Sequence, residues 1–186
     1  MAKLKIAGIP GSLRRGSYSL GLLKAAVELV PPDVEVEVLD ISGFPVFNQD
    51  DQANPPPSVV AFKAKVLAAD AVLFSLNEHN YNLSAAEKNV IDWASRPYES
   101  SAWNRKPAGL MSVSTGAMGG VRAQLDLRHA MVFLNMFPIN RPEVIVPFAA
   151  QKFDTNGRLT DETTRKFVAD HLAELVRHTR VLTRAP

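Results

Sequence analysis

LKIAGIPGSLRRGSYSLGLLKAA, Leu4 to Ala26, carries three patterns in succession. Leu4 to Ile9 is an apolar run with the length of a buried strand. Pro10 to Gly16 is a turn, with glycines at 11 and 16 and arginines at 14 and 15. From Ser17 to Leu29 the apolar residues recur at helical spacing, with Leu20, Leu23, Val27 and Val30 on one expected face. A buried strand that turns through glycines and hydroxyls into a helix is the opening unit of a parallel α/β sheet.

The rest of the chain repeats that alternation. Val34 to Leu39 alternates with Glu35 and Glu37, as an edge strand does. A loop rich in turn formers ends at Pro55-Pro56-Pro57, after which Ser58 is expected to cap a helix running to about Ala69. Ala71 to Leu76 and Ala108 to Val113 are further buried strands, and Val144 to Val146 is a short last one. Helices are expected from about Ser84 to Trp93, from Gly120 to about Phe137, and from Thr160 to about Val181. The last should turn Phe167, Val168, Leu172, Leu175 and Val176 inward. Five strands alternating with five helices give an α/β fold with a parallel sheet and helices on both faces. No repeat or long linker divides residues 1–186, so one domain is expected.

Composition narrows the function. The chain of 186 residues has a formal net charge of +2, with both signs interspersed. A basic stripe for nucleic acid is not indicated. There is no cysteine, which removes thiolate metal sites, disulfides and cysteine nucleophiles. No apolar run has the length of a membrane span, so neither a membrane nor a secretory route is expected, and a cytoplasmic location is.

In open parallel sheets, ligands bind beyond the carboxyl ends of the strands. Three loops leave the three central strands, and all are polar and rich in small residues. In the first, Ser12, Ser17 and Ser19 supply hydroxyls and Arg14 a charged fork, at the start of a helix whose dipole and free amides favour an anion. A phosphate suits that set; an ordinary glycine-rich turn is the alternative. The Walker and G-x-G-x-x-G patterns are both absent. The second loop, NEHNYNLS, offers backbone amides and one aromatic cover, Tyr81. The third, STGAMGG, offers Ser114 and Thr115, with glycines that let a ligand approach the backbone.

These segments resemble the NADPH-dependent FMN reductases of flavodoxin-like fold, the group that includes chromate, quinone and azo reductases. GSLRRGSYS (Gly11 to Ser19) is similar to the family's phosphate loop. EHNYNLSAAEKNVIDWASRP (Glu78 to Pro97) is similar to its flavin loop and following helix, and STGAMGGVRAQLDLR (Ser114 to Arg128) to its third loop and helix. The resemblance implies a flavodoxin-like doubly wound sheet of five parallel strands in the order 2-1-3-4-5. It implies non-covalent FMN as cofactor and NADPH or NADH as co-substrate. Ser12, Arg14, Ser17 and Ser19 would hold the phosphate. Glu78, His79, Asn80 and Tyr81 would border the flavin ring, with Ser114, Thr115 and Gly116 on another edge. The implied activity is an NAD(P)H-dependent quinone-reductase type of oxidoreductase that passes hydride to a small-molecule acceptor (a quinone, azo compound or chromate) in a two-step exchange. A homodimer or homotetramer is implied too, consistent with the apolar stretch Leu125 to Phe137.

Some positions depart from the family pattern. The flavin loop commonly reads Pro-Glu-Tyr-Asn; Asn77 stands here for the proline and His79 for the tyrosine. Glu87 sits where an apolar residue is usual. No side chain is required as acid or base, since the flavin carries the chemistry; His79 is the one titratable candidate. His129, His171 and His178 are expected at the surface, and Arg122 and Arg128 as solvated charges or as partners of Glu143 or of a neighbouring subunit. Two other classes fit the fold: a flavodoxin-type electron carrier, usually strongly acidic, and a flavin-less regulatory relative.

Overall fold

The computed structural model describes residues 3–184. Its strands are β1 (Leu4–Pro10), β2 (Val34–Val38), β3 (Ala71–Leu76), β4 (Glu78–His79), β5 (Asn82–Leu83), β6 (Pro107–Val113), β7 (Phe137–Pro138) and β8 (Val144–Val146). Its helices are α1 (Tyr18–Leu29), α2 (Pro57–Ala68), α3 (Ala85–Ala94), α4 (Val121–Phe133) and α5 (Glu162–Arg184).

The main sheet runs β2-β1-β3-β6, and the next position is shared by β7 and β8, both parallel to β6. This is the expected order 2-1-3-4-5. Register pairs Ile6 with Ala71, Phe74 with Leu110, and Met111 with Val144. β1 from Ile6, β3 and β6 are buried throughout because helices cover both faces. One apolar cluster joins Ala7, Ile9, Phe74 and Leu110 to α2, α3 and α4. The other joins Ile6, Val36, Leu73 and Met111 to α1 and α5.

Four local expectations change. First, α1 turns Leu22, Leu23, Ala25 and Ala26 to the sheet and leaves Val27 outside. The reason is size: at Gly21 a Cβ would come within 2.4 Å of Gly157 O and 2.9 Å of Phe153, so the small-residue side makes the close contact. Second, α2 begins with Pro57 at its first position and Pro56 before it; Ser58 instead donates from Oγ to Gly43 O (3.3 Å). Proline suits a first turn because its missing N–H has no partner there anyway. Third, α4 stops at Phe133. Asn135 takes a left-handed φ of 54°, and the N–H groups of Asn135 and Met136 close back on Val132 O (3.3 Å) and Met131 O (3.1 Å). Such a cap satisfies the last carbonyls and frees Phe137 to enter the sheet as β7. Fourth, Phe167 faces outward (49% exposed), while His171 is fully buried, with Nδ1 2.7 Å from Pro142 O. Burial pushes the His171 imidazole below its ordinary value.

KNVIDWASRP (Lys88 to Pro97), the most specific stretch of the resemblance, anchors the long loop after β2. Asn89 Nδ2 and Trp93 Nε1 both donate to Pro45 O (2.8 Å each), and Asn89 Oδ1 accepts from Phe47 N–H (2.8 Å).

Candidate active site

The three loops predicted to meet do meet, through hydrogen bonds between them. Gly11, at the end of β1, donates its N–H to Ser75 O on β3 (2.8 Å) and accepts from Ser84 Oγ at the start of α3 (2.7 Å). Ser84 also closes a capping box with Glu87. The second and third loops are joined by Glu78. Its two oxygens accept from the Arg122 guanidinium (2.9 Å) and the Arg122 backbone N–H (3.1 Å), in the first turn of α4.

At the first loop, Ser17 occupies the N-cap position of α1 without capping it. Its hydroxyl pairs with Ser19 Oγ at 2.7 Å, both side chains being buried. The first-turn amides of α1 are left without a side-chain partner at the positive end of the helix dipole. Ser12 Oγ accepts from Arg14 N–H (3.2 Å), and Arg14 extends into solvent. Arg14, Ser17 and Lys24 rim a polar cleft of about 260 Å³ whose far wall is Asp154 to Gly157. This end fits a phosphate group.

The second loop is a hairpin, β4 against β5, turned through Asn80 (φ 52°) and Tyr81 (φ 66°). Two successive positive φ values match the twist of a tight hairpin. They are unusual for tyrosine, and such strain persists only where the surroundings hold it. Here Arg122 lies 3.9 Å from the centroid of the exposed Tyr81 ring. Glu78 is therefore committed to Arg122, and Arg122 is a tether between loops, not the solvated charge expected of it. Arg128 donates to Ile139 O (3.0 Å) and Asn140 Oδ1 (3.2 Å), so it too is engaged.

The third loop folds onto the residues after β8. Ser114 bonds Val146 O and Ala149 N–H (3.0 Å each), and its Oγ accepts from Gly116 N–H (3.1 Å). Thr115 and Gly116 stand exposed beside it. Gly119, at φ 59°, packs so closely that a Cβ would lie 2.6 Å from Ile145 Cγ2 and 2.9 Å from Pro147 N.

Gln124 has no signal in the sequence, and Glu87 and Asn77 stand out there only as departures from the family pattern. Gln124 is buried and donates to both Ser112 Oγ and Val144 O (2.9 Å each), fixing α4 to the strand ends. Glu87 is 1% exposed and lies beneath the first two loops. Burial pushes its carboxyl up to about 8, against the backbone amides of Ser84 and Asn77, which favour the charged form. Asn77 lies between Glu87 and His79.

Glu87 makes stability depend on pH. The folded chain binds its proton more tightly than the unfolded chain, whose ordinary value is 4.5. This contribution is complete below the unfolded value and is lost as pH rises through the folded one. Denaturant unfolding at pH 5 and pH 9 should therefore show Glu87→Gln gaining on the parent by a few kcal/mol at the higher pH. A gap that does not widen with pH would show that the carboxyl titrates normally.

Comparison with known proteins places this geometry. The family described as NADPH-dependent FMN reductase matches residues 4–151. An NAD(P)H-dependent FMN reductase of Pseudomonas aeruginosa is 44% identical over 173 residues, covering 92% of this chain and 93% of that one. An NADPH:quinone oxidoreductase of Arabidopsis thaliana is 41% identical over 179 residues, covering 92% and 90%. Among solved structures, the flavoenzyme NAD(P)H:(acceptor) oxidoreductase of Paracoccus denitrificans superposes with a TM-score of 0.86 at 32% identity, covering 95% and 97%.

Proposed function

We infer the activity from one premise: the chain belongs to the NADPH-dependent FMN reductase family. It is an NAD(P)H-dependent oxidoreductase that uses FMN and reduces a quinone-type acceptor. The observation that carries this to the residues is the meeting of three strand-end loops beside an α1 N-terminus whose own serine leaves it uncapped.

When bound, FMN supplies hydride acceptance from NAD(P)H and delivery of two electrons to the acceptor. The protein holds and shields it. Ser12, Arg14, Ser17, Ser19 and the free amides of α1 hold the phosphate. Asn80 and Tyr81, kept in their left-handed turn by the Glu78–Arg122 tether, border the ring with His79. Ser114, Thr115 and Gly116 close another edge. The two substrates use the same open face in turn, so double-reciprocal plots should be parallel. A cytoplasmic location, where NAD(P)H is at hand, is part of the same proposal.

The direct test is the visible spectrum of the purified protein before and after anaerobic NADPH. Flavin bands that bleach without a redox partner protein are expected. A yellow protein that NADPH does not bleach would be an electron carrier, and one that takes up no FMN would overturn the reading.

The same proposal includes self-association. Leu125, Val132 and Phe133 are 61%, 80% and 71% exposed, and their spacing puts them on one stripe of α4. Tyr98, also exposed, packs edge-on against Phe133 at 5.7 Å and carries the Arg96 guanidinium on its face. An apolar stripe of this kind is suited to a second copy of the chain. Light scattering should give a dimer or tetramer for the parent and a smaller species for Phe133→Glu. An unchanged mass would move the interface elsewhere.

A further inference from the structure

Beneath the second loop, two buried oxygens lack a hydrogen-bond partner: Asn77 Oδ1 and Glu87 Oε1. Both face the bare Cα of Gly11, where a Cβ would lie 2.6 Å from one and 2.7 Å from the other. Two acceptors placed together in a dry notch are costly unless one carries a proton. On its other side, the Asn77 amide presents Nδ2 to His79 Nε2 at 3.0 Å. An exposed imidazole in the loop that borders the site is thus linked, through one amide, to a buried carboxyl. Among the described residues, no charged group pairs with that carboxyl. Gly11 and Asn77 meet it from the ends of β1 and β3, Lys88 is paired with Asp92 on the exposed side of α3, and Glu78 is bound to Arg122.

We infer that Glu87, Asn77 and His79 are coupled: the one carbonyl oxygen of Asn77 serves either a protonated Glu87 or a His79 protonated at Nε2 but not both, so the charge on the buried Glu87 sets which ring nitrogen of His79 carries hydrogen. In the arrangement seen here Oδ1 faces Glu87 and Nδ2 faces His79, so all three groups are satisfied when Glu87 is neutral and His79 is bare at Nε2. With the amide turned over, Nδ2 serves an ionised Glu87 and Oδ1 accepts from His79 Nε2–H. Both donors protonated together would need the same oxygen. Glu87 acts as a positioning residue, setting which nitrogen of His79 carries hydrogen.

This coupling stands on the packing of the three side chains and does not depend on the oxidoreductase reading. Nitrogen NMR of the His79 ring in the full chain, with and without added FMN, should show Nε2 bare near neutral pH and protonated once Glu87 ionises at higher pH. Glu87→Gln can keep donating to Asn77 Oδ1 and should hold Nε2 bare throughout. Glu87→Leu, which needs no hydrogen bond to fold, should abolish the switch. The same ring tautomer at every pH in the parent, Glu87→Gln and Glu87→Leu would overturn the coupling.

Discussion

Replacing Gly11 by alanine should weaken FMN binding by about 100-fold, roughly 2.7 kcal/mol. The added methyl would come within 2.6 Å of Asn77 Oδ1, 2.7 Å of Glu87 Oε1 and 2.8 Å of Asn77 N. The first two atoms end side chains; the third is backbone, so relief requires the β1 and β3 loops to part. Those loops are where the phosphate and ring would be held, and their spacing is set by Gly11 N–H to Ser75 O and Ser84 Oγ to Gly11 O. Overpacking also costs about 1–3 kcal/mol of fold stability, which leaves the chain folded. Fluorescence titration of FMN into apoprotein, beside a melting curve, separates the two effects. Affinity within a few-fold of the parent, in a variant that melts normally, would show that the loop contact does not position the cofactor.

Trp103→Ala should lower stability by about 3–5 kcal/mol. For a chain of this length that corresponds to a fall of roughly 10 °C in the melting midpoint. Trp103 is fully buried between β3 and α2, 5.7 Å from the ring of Phe74 and 6.2 Å from that of Phe62. Its Nε1–H donates to Ile91 O (3.0 Å), one of the last carbonyls of α3. Truncation therefore opens a cavity and also removes one of the two hydrogen bonds to Ile91 O, which keeps the one from Ser95 N–H (3.1 Å). Trp103→Phe fills most of the space and loses only the indole hydrogen bond, so it should lose much less. Equal losses for the two variants would show that the hydrogen bond, not the packing, dominates. Calorimetry on both settles the division.

Most of the fold was legible because it is written locally. Buried runs such as Ala71 to Leu76 announce central strands, and the charged alternation at Glu35 and Glu37 announces an edge. The three polar loops fall where those runs end, and a parallel sheet brings such ends to one side. That is why Ser12 to Ser19, Glu78 to Tyr81 and Ser114 to Gly116 read from the sequence as parts of one site.

Where the sequence failed, the deciding contact lies far along the chain or depends on size, not polarity. Hydrophobic periodicity favoured Val27, yet the close approach of Gly157 to Gly21 turns α1 by its small residues. Helical pattern continued past Phe133, yet Asn135 in a left-handed turn ends α4 and sends Phe137 to the sheet. His171 looked like a surface residue on a polar helix, but its face of α5 is pressed on β6 beside Gly109. By itself the sequence determined the order of elements, the side of the sheet that bears the site, and the residue types offered there. Only the tertiary structure decided their pairing: Glu78 with Arg122 across 44 positions, and Glu87 through Asn77 to His79. A local pattern records whether a side chain is polar; which partner satisfies it, and whether water is shut out, is set when distant strand ends are packed together.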